Sequence, residues 1–83
     1  KTNLLQAAVM INLLGSPDFT GAYGIENLNE IMSIPGVFIH LYGKAESRPM
    51  RKMGHITIVD AEIERAKEKA AIVERLFRFV PES

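Results

Sequence analysis

The 83 residues are 47% apolar and 24% charged, with ten Lys or Arg balanced by ten Asp or Glu, which describes one small soluble domain with a modest core. Zero formal net charge, without surface aromatics interleaved among the basic residues, excludes a general nucleic-acid surface. The lack of cysteine excludes a disulfide framework and thiolate metal sites and fits a cytoplasmic protein.

The longest nearly apolar run, Leu4 to Leu14, is broken by Gln6 and Asn12 and is too short to span a bilayer. No secretory signal and no Asn-x-Ser/Thr site is visible, so no membrane role is expected. Within that run, Ala7 to Leu14 reads as a strand with Ala7, Val9, Ile11 and Leu13 on one face and Ala8, Met10, Asn12 and Leu14 on the other. Both faces are mostly apolar, which predicts a central strand and a buried Asn12 amide that must find partners. Gly15-Ser16-Pro17-Asp18 ends it with turn chemistry. Ile25 to Met32 follows helical spacing, with Leu28, Ile31 and Met32 on one side, and Pro35-Gly36 closes it.

Val37 to Tyr42 is the second predicted strand and His55 to Val59 the third, joined across Gly43 to Gly54 by a loop wider than a two-residue turn. Asp60 is placed as the cap of a long final helix with Glu62 and Glu64 in its first turn, where they complement the helix dipole. Its apolar stripe is Ile63, Ala66, Ala70, Val73, Phe77 and Val80, with Glu74 and Arg78 spaced for an i,i+4 pair. The order β-α-β-β-α predicts an α+β fold: a small antiparallel element of about three strands with a C-terminal helix. The chain opens at Lys1 and closes at Pro81-Glu82-Ser83, both directly against patterned sequence, so it reads as a piece of a longer polypeptide.

The loop between the second and third strands carries Lys44, Arg48, Arg51 and Lys52, four of the ten basic residues within nine positions. Such clustering on a neutral chain points to a local anion site. Lysine supplies a mobile point charge and arginine a planar fork for two phosphate oxygens. Gly43 and Gly54 permit positive φ or close backbone approach at the two bases of the loop. Edge hairpins also carry Lys and Arg for solubility, and composition alone favours that plainer reading.

His40 reads as a structural histidine in its strand, and His55, adjoining the basic cluster, as a cleft-lining residue; neither has a carboxylate at metal-ligand spacing. Gly21-Ala22-Tyr23-Gly24 is too short and irregular for a phosphate-binding glycine loop. Ser16, Ser33 and Ser47 lack a nucleophile's context. No catalytic residue is assigned.

Leu41-Tyr42-Gly43-Lys44, then Arg48-Pro49, then Arg51-Lys52-Met53-Gly54-His55-Ile56-Thr57 resembles the C-terminal signature of the 5-(carboxyamino)imidazole ribonucleotide synthases, the ATPase subunit of phosphoribosylaminoimidazole carboxylase in purine biosynthesis. Met10-Ile11-Asn12-Leu13-Leu14-Gly15 resembles the strand that enters that family's C-terminal domain. The resemblance covers most of residues 7 to 59 and implies a single C-terminal domain, residues 1 to 83, of an ATP-grasp protein whose body is absent here. It implies an ATP-dependent carboxylating ligase acting on aminoimidazole ribonucleotide and bicarbonate, with ATP and magnesium held mainly by the preceding domains. A cytoplasmic homodimer is implied for the complete protein and inactivity for this piece alone.

On the same resemblance Lys44 and Arg51 bind the ribonucleotide 5′-phosphate, and Arg48 and Lys52 strengthen the positive field. Family members commonly have glycine where this chain has Met50, which implies a differently shaped loop tip. Missing its body, the domain is expected to self-associate or to expose an apolar patch near the hairpin. The competing reading is a self-standing phospholigand-binding or interaction module built on the same loop.

Overall fold

The computed structural model describes residues 6–82; the two chain ends named above, Lys1 and Ser83, lie outside them. The elements are β1 (Ala7–Leu14), β2 (Tyr23–Glu26), α1 (Leu28–Met32), β3 (Val37–Leu41), β4 (Lys52–Asp60), α2 (Ile63–Leu76) and β5 (Arg78–Pro81). The first sheet is antiparallel in the order β1-β4-β3, and β2 and β5 form a separate antiparallel pair. The α+β class, the three-stranded antiparallel sheet and the helix after it are therefore as the residue patterns predict.

The position of β1 is not as predicted. It is an edge strand, and β4 is the centre of the sheet. Only β4, nine residues long, offers one flank to all eight residues of β1 and the other to β3. Its Ile56 and Ile58 are fully buried and set the core face, towards which Val9, Ile11 and Leu13 of β1 also point. Ala8, Met10, Asn12 and Leu14 face the open side, so Asn12 is exposed and needs no buried partner. That open face carries an apolar row in which Met10, Thr57 and Phe38 are cross-strand neighbours, with Met10 and Phe38 each 62% exposed. The row lies on the strands, away from the loop 43–54 where an exposed apolar patch is expected.

Helix α2 covers the other face. Ala66, Ala70 and Val73 are buried at i, i+4 and i+7, and the small alanines let the helix axis approach the sheet. The helix is shorter than its pattern at both ends. It begins at Ile63 with Glu62 as N-cap, while Asp60 ends β4; the Asp60 carboxylate accepts the Glu62 N–H at 3.1 Å and pairs with Lys69 at 2.9 Å. At the other end Phe77 turns extended (φ −73°, ψ 128°) and 78–81 pair with β2, so Phe77 and Val80 lie outside the helix and Ile63 is exposed. Arg78 therefore forms no helical pair with the Glu74 carboxylate. Its guanidinium donates to the Phe77 carbonyl at 2.8 Å and the Glu74 carbonyl at 3.4 Å.

The helix expected over Ile25–Met32 is cut to Leu28–Met32 for a related reason. Ile25 and Glu26 belong to β2, opposite Phe79 and Arg78. Asn27 then takes a left-handed conformation (φ 61°), one that asparagine tolerates, and its amide donates to the Leu76 carbonyl at 2.7 Å. Of the three apolar residues expected on the inner side, only Ile31 is buried.

Candidate basic anion site

A β-bulge sets the start of the basic loop. Leu13 lies opposite Gly54 but Leu14 opposite Lys52, so β4 carries one extra residue there. The bulge lets Met53 turn to the core face with Ile56, both fully buried, while Lys52 stays exposed. Gly54 is needed at the bulge because a Cβ there would collide with the His40 carbonyl oxygen of β3. At the opposite base of the loop Gly43 takes φ 77°. Both glycines thus serve the purposes their positions suggest.

The loop is not a free tip but is sewn to the segment 15–23. The Gly15 N–H donates to the Arg51 carbonyl at 2.8 Å, and the Met50 N–H donates to the Gly15 carbonyl at 3.1 Å. Gly21 and Ser47 exchange backbone hydrogen bonds at 2.9 and 2.8 Å. The Tyr23 hydroxyl donates to the Lys44 carbonyl at 2.8 Å. Gly15 sits so close to the loop that a Cβ on it would strike the Arg48 carbonyl oxygen. None of these braces shows in the sequence pattern. The Gly21–Gly24 stretch holds the loop that carries the cations, through Gly21 and Tyr23.

All four predicted cations belong to this braced segment. Lys44 and Arg51 are half-buried, whereas Arg48 and Lys52 are exposed. Glu46 is the one carboxylate among residues 44 to 52, leaving a surplus of three positive charges there from four cations and one anion. The Arg51 guanidinium donates to the Glu46 carbonyl at 3.1 Å, and Arg48 approaches the Glu46 carboxylate at 3.9 Å. The latter pair is solvent-exposed and contributes little to stability. Its effect is to bring both arginines to one residue, and an incoming anion with more oxygens competes well for them.

Met50 reaches the left-handed region directly, at φ 62°. Methionine is not at ease in that conformation, so Met50 bears strain at the tip, where it is 65% exposed.

The histidines lie on the open sheet face. His40 and His55 are cross-strand partners whose rings stack at 5.0 Å, and the Tyr42 hydroxyl lies 3.1 Å from His55 Nδ1. His40 is thus exposed, not held in a core, because its position in β3 faces away from α2. The contacts of His55 run to His40 and Tyr42, with no hydrogen bond to the four cations among the described residues. No group of three His, Asp or Glu among the described residues is placed to hold a metal ion, and no described helix is long and apolar enough to cross a membrane. A cavity of about 560 Å³ lies elsewhere, between the 14–19 segment and Phe77–Pro81. No residue of the loop 43–52 lines that cavity.

Comparison with known proteins identifies the setting of this loop. Residues 8–69 match the family described as Phosphoribosylaminoimidazole carboxylase C-terminal domain. The chain is 52% identical over 54 residues to a Schizosaccharomyces pombe protein named phosphoribosylaminoimidazole carboxylase, a match covering 63% of this chain and 9% of that protein. The crystal structure of N5-carboxyaminoimidazole ribonucleotide synthetase from Thermotoga maritima superposes with a TM-score of 0.84 at 47% identity, covering 90% of this chain and 21% of that one. An ADP complex of an N5-carboxyaminoimidazole ribonucleotide synthetase superposes at 0.63 with 39% identity, over 89% of this chain and 18% of that one. The chain therefore spans between about a tenth and a fifth of the length of these proteins.

Proposed function

The chain belongs to the phosphoribosylaminoimidazole carboxylase C-terminal domain family, and from that membership we propose that it is the C-terminal domain of a ligase that uses ATP and bicarbonate to carboxylate 5-aminoimidazole ribonucleotide. In this reading Lys44 and Arg51 bind the ribonucleotide 5′-phosphate. Arg48 and Lys52 add to the positive field, and His55 lines the cleft. ATP and magnesium are bound by the remainder of a longer cytoplasmic, dimeric protein, and the domain alone is inactive. The observation that carries the proposal is that the family match runs across the whole braced loop from Lys44 to Lys52.

The physical case rests on what a phosphate requires. A phosphate monoester presents nearly two negative charges and three acceptor oxygens. An ammonium and a guanidinium on one rigid loop answer both needs, the guanidinium by a two-pronged contact. The phosphate does not react. Holding it orients the amine at the other end of the molecule, so that binding energy remote from the chemistry lowers the barrier by positioning. With Arg48 and Lys52 exposed, the loop fits a site completed by the rest of a longer protein.

Charge-assisted hydrogen bonds contribute about 1.5–3 kcal/mol each, so Lys44→Ala or Arg51→Ala in the complete polypeptide is expected to raise the KM for the ribonucleotide roughly 10- to 100-fold. The KM for ATP should stay unchanged. Ribonucleotide kinetics unaltered in both variants would remove the assignment.

A further inference from the structure

We infer that Tyr23 is a positioning residue for the ribonucleotide phosphate, acting through the backbone of Lys44; the inference rests on the phosphate reading of the basic loop. Tyr23 lies in β2, twenty-one residues from Lys44 in sequence, and its hydroxyl donates to the Lys44 carbonyl at 2.8 Å. Its ring is held from behind. It meets Phe79 edge-on at 5.3 Å, and Phe79, buried in the core, meets Phe77 edge-on at 5.0 Å. The phenol is therefore a stiff strut with one end in the core and the other on the loop.

The strut acts between two backbone ties of the loop. The Tyr42 N–H is tied to the Met53 carbonyl, and Ser47 is tied to Gly21. Between these points, among the described residues, the backbone of 43–45 has only the Tyr23 hydroxyl as a hydrogen-bond partner from another element. Gly43 enters this span at φ 77°, a conformation glycine leaves freely once nothing holds it. A lysine ammonium rides on a flexible four-carbon stem, so its Cα must be placed for the charge to dwell over the phosphate. Misplacement of a positioning group by about 1 Å can cost up to about a hundredfold.

Arg51 depends on different supports. Its carbonyl is bonded by Gly15 and its guanidinium by the Glu46 carbonyl. Loss of the Tyr23 hydroxyl is thus expected to weaken the contribution of Lys44 and leave that of Arg51 in place.

Steady-state kinetics of the complete polypeptide with 5-aminoimidazole ribonucleotide, on Tyr23→Phe, Lys44→Ala and the double variant, test this. Tyr23→Phe keeps the ring and its packing, so the expected result is a several-fold fall in kcat/KM for the ribonucleotide, chiefly through a raised KM, with the KM for ATP unchanged. In the Lys44→Ala background the same change should add nothing. If Lys44→Ala raises KM but Tyr23→Phe does not, the strut is overturned and the phosphate reading stands. If the two effects multiply, Tyr23 acts on something other than Lys44 and the inference is also overturned. If Lys44→Ala itself leaves KM unchanged, the phosphate reading fails and takes the inference with it.

Discussion

Replacing Gly15 by alanine is expected to unseat the basic loop and to cost the domain much of its stability. The added methyl would collide with the Arg48 carbonyl oxygen and stand 2.8 Å from Ser47 Oγ and 2.9 Å from the Arg48 carbonyl carbon. Two of these three atoms are backbone, so no side-chain rotation relieves the contact. The loop must move, and movement breaks the bonds from the Gly15 N–H to Arg51 and from the Met50 N–H to Gly15, at 2.8 and 3.1 Å. Two hydrogen bonds at about 1 kcal/mol each, with about 1–3 kcal/mol for overpacking, give a loss of roughly 3–5 kcal/mol. The opposing gain from a less flexible unfolded chain is only about 0.4–1 kcal/mol. For a domain of this size about 1 kcal/mol moves Tm by 4–8 °C, so thermal unfolding followed by circular dichroism should show a fall on the order of 10–30 °C. A fall under about 5 °C, or a rise, would refute the argument that the loop is pressed against this backbone.

Ser47 is fully buried and its hydroxyl has no partner among the described residues; Ser47→Ala should therefore be neutral or stabilising by about 1 kcal/mol in denaturant unfolding, and a loss beyond that would mean the hydroxyl is satisfied after all. Met50 bears a left-handed φ of 62°. Met50→Gly relieves about 1–2 kcal/mol of strain against about 0.5–1 kcal/mol of added chain entropy; chemical denaturation should show a gain of up to about 1.5 kcal/mol, and a clear loss would contradict it. The hydrogen bond from Lys69, and next the Glu62 N–H, hold the Asp60 carboxyl below its ordinary 3.8. A depressed carboxylate stabilises fully above that ordinary value and loses its contribution as pH falls through the lower folded value. Tm of the parent should thus drop more steeply below about pH 4 than that of Lys69→Met, and parallel acid limbs would show that the pair does not matter.

What was legible in the sequence had a local cause. Period-two alternation marked β1, β3 and β4, and Ala66, Ala70 and Val73 marked the buried stripe of α2. What was not legible depends on partners far along the chain. β2 and β5 are four residues each and exist by pairing Tyr23 with Pro81 and Ile25 with Phe79. Phe77 and Val80 continue the helical spacing by coincidence: Phe77 turns extended as the helix ends, and Val80 is drawn into β5 by its pairing with β2. Two apolar faces on β1 suggested a centre, yet β4 takes that place, pairing with β1 on one flank and with β3 on the other. The cations of the site were visible as a cluster. Its braces were not, since Gly15, Gly21 and Tyr23 carry no charge and act on the loop through backbone carbonyls and N–H groups.

The claim that Lys44 and Arg51 bind a phosphate is tested most directly by comparing two ligands. Calorimetric titration of the complete polypeptide with 5-aminoimidazole ribonucleotide and with the same riboside lacking phosphate measures what the phosphate contributes. The account predicts a large preference for the ribonucleotide that collapses towards unity in the Lys44→Ala, Arg51→Ala double variant. A preference left intact in that variant would place the phosphate elsewhere and contradict the account.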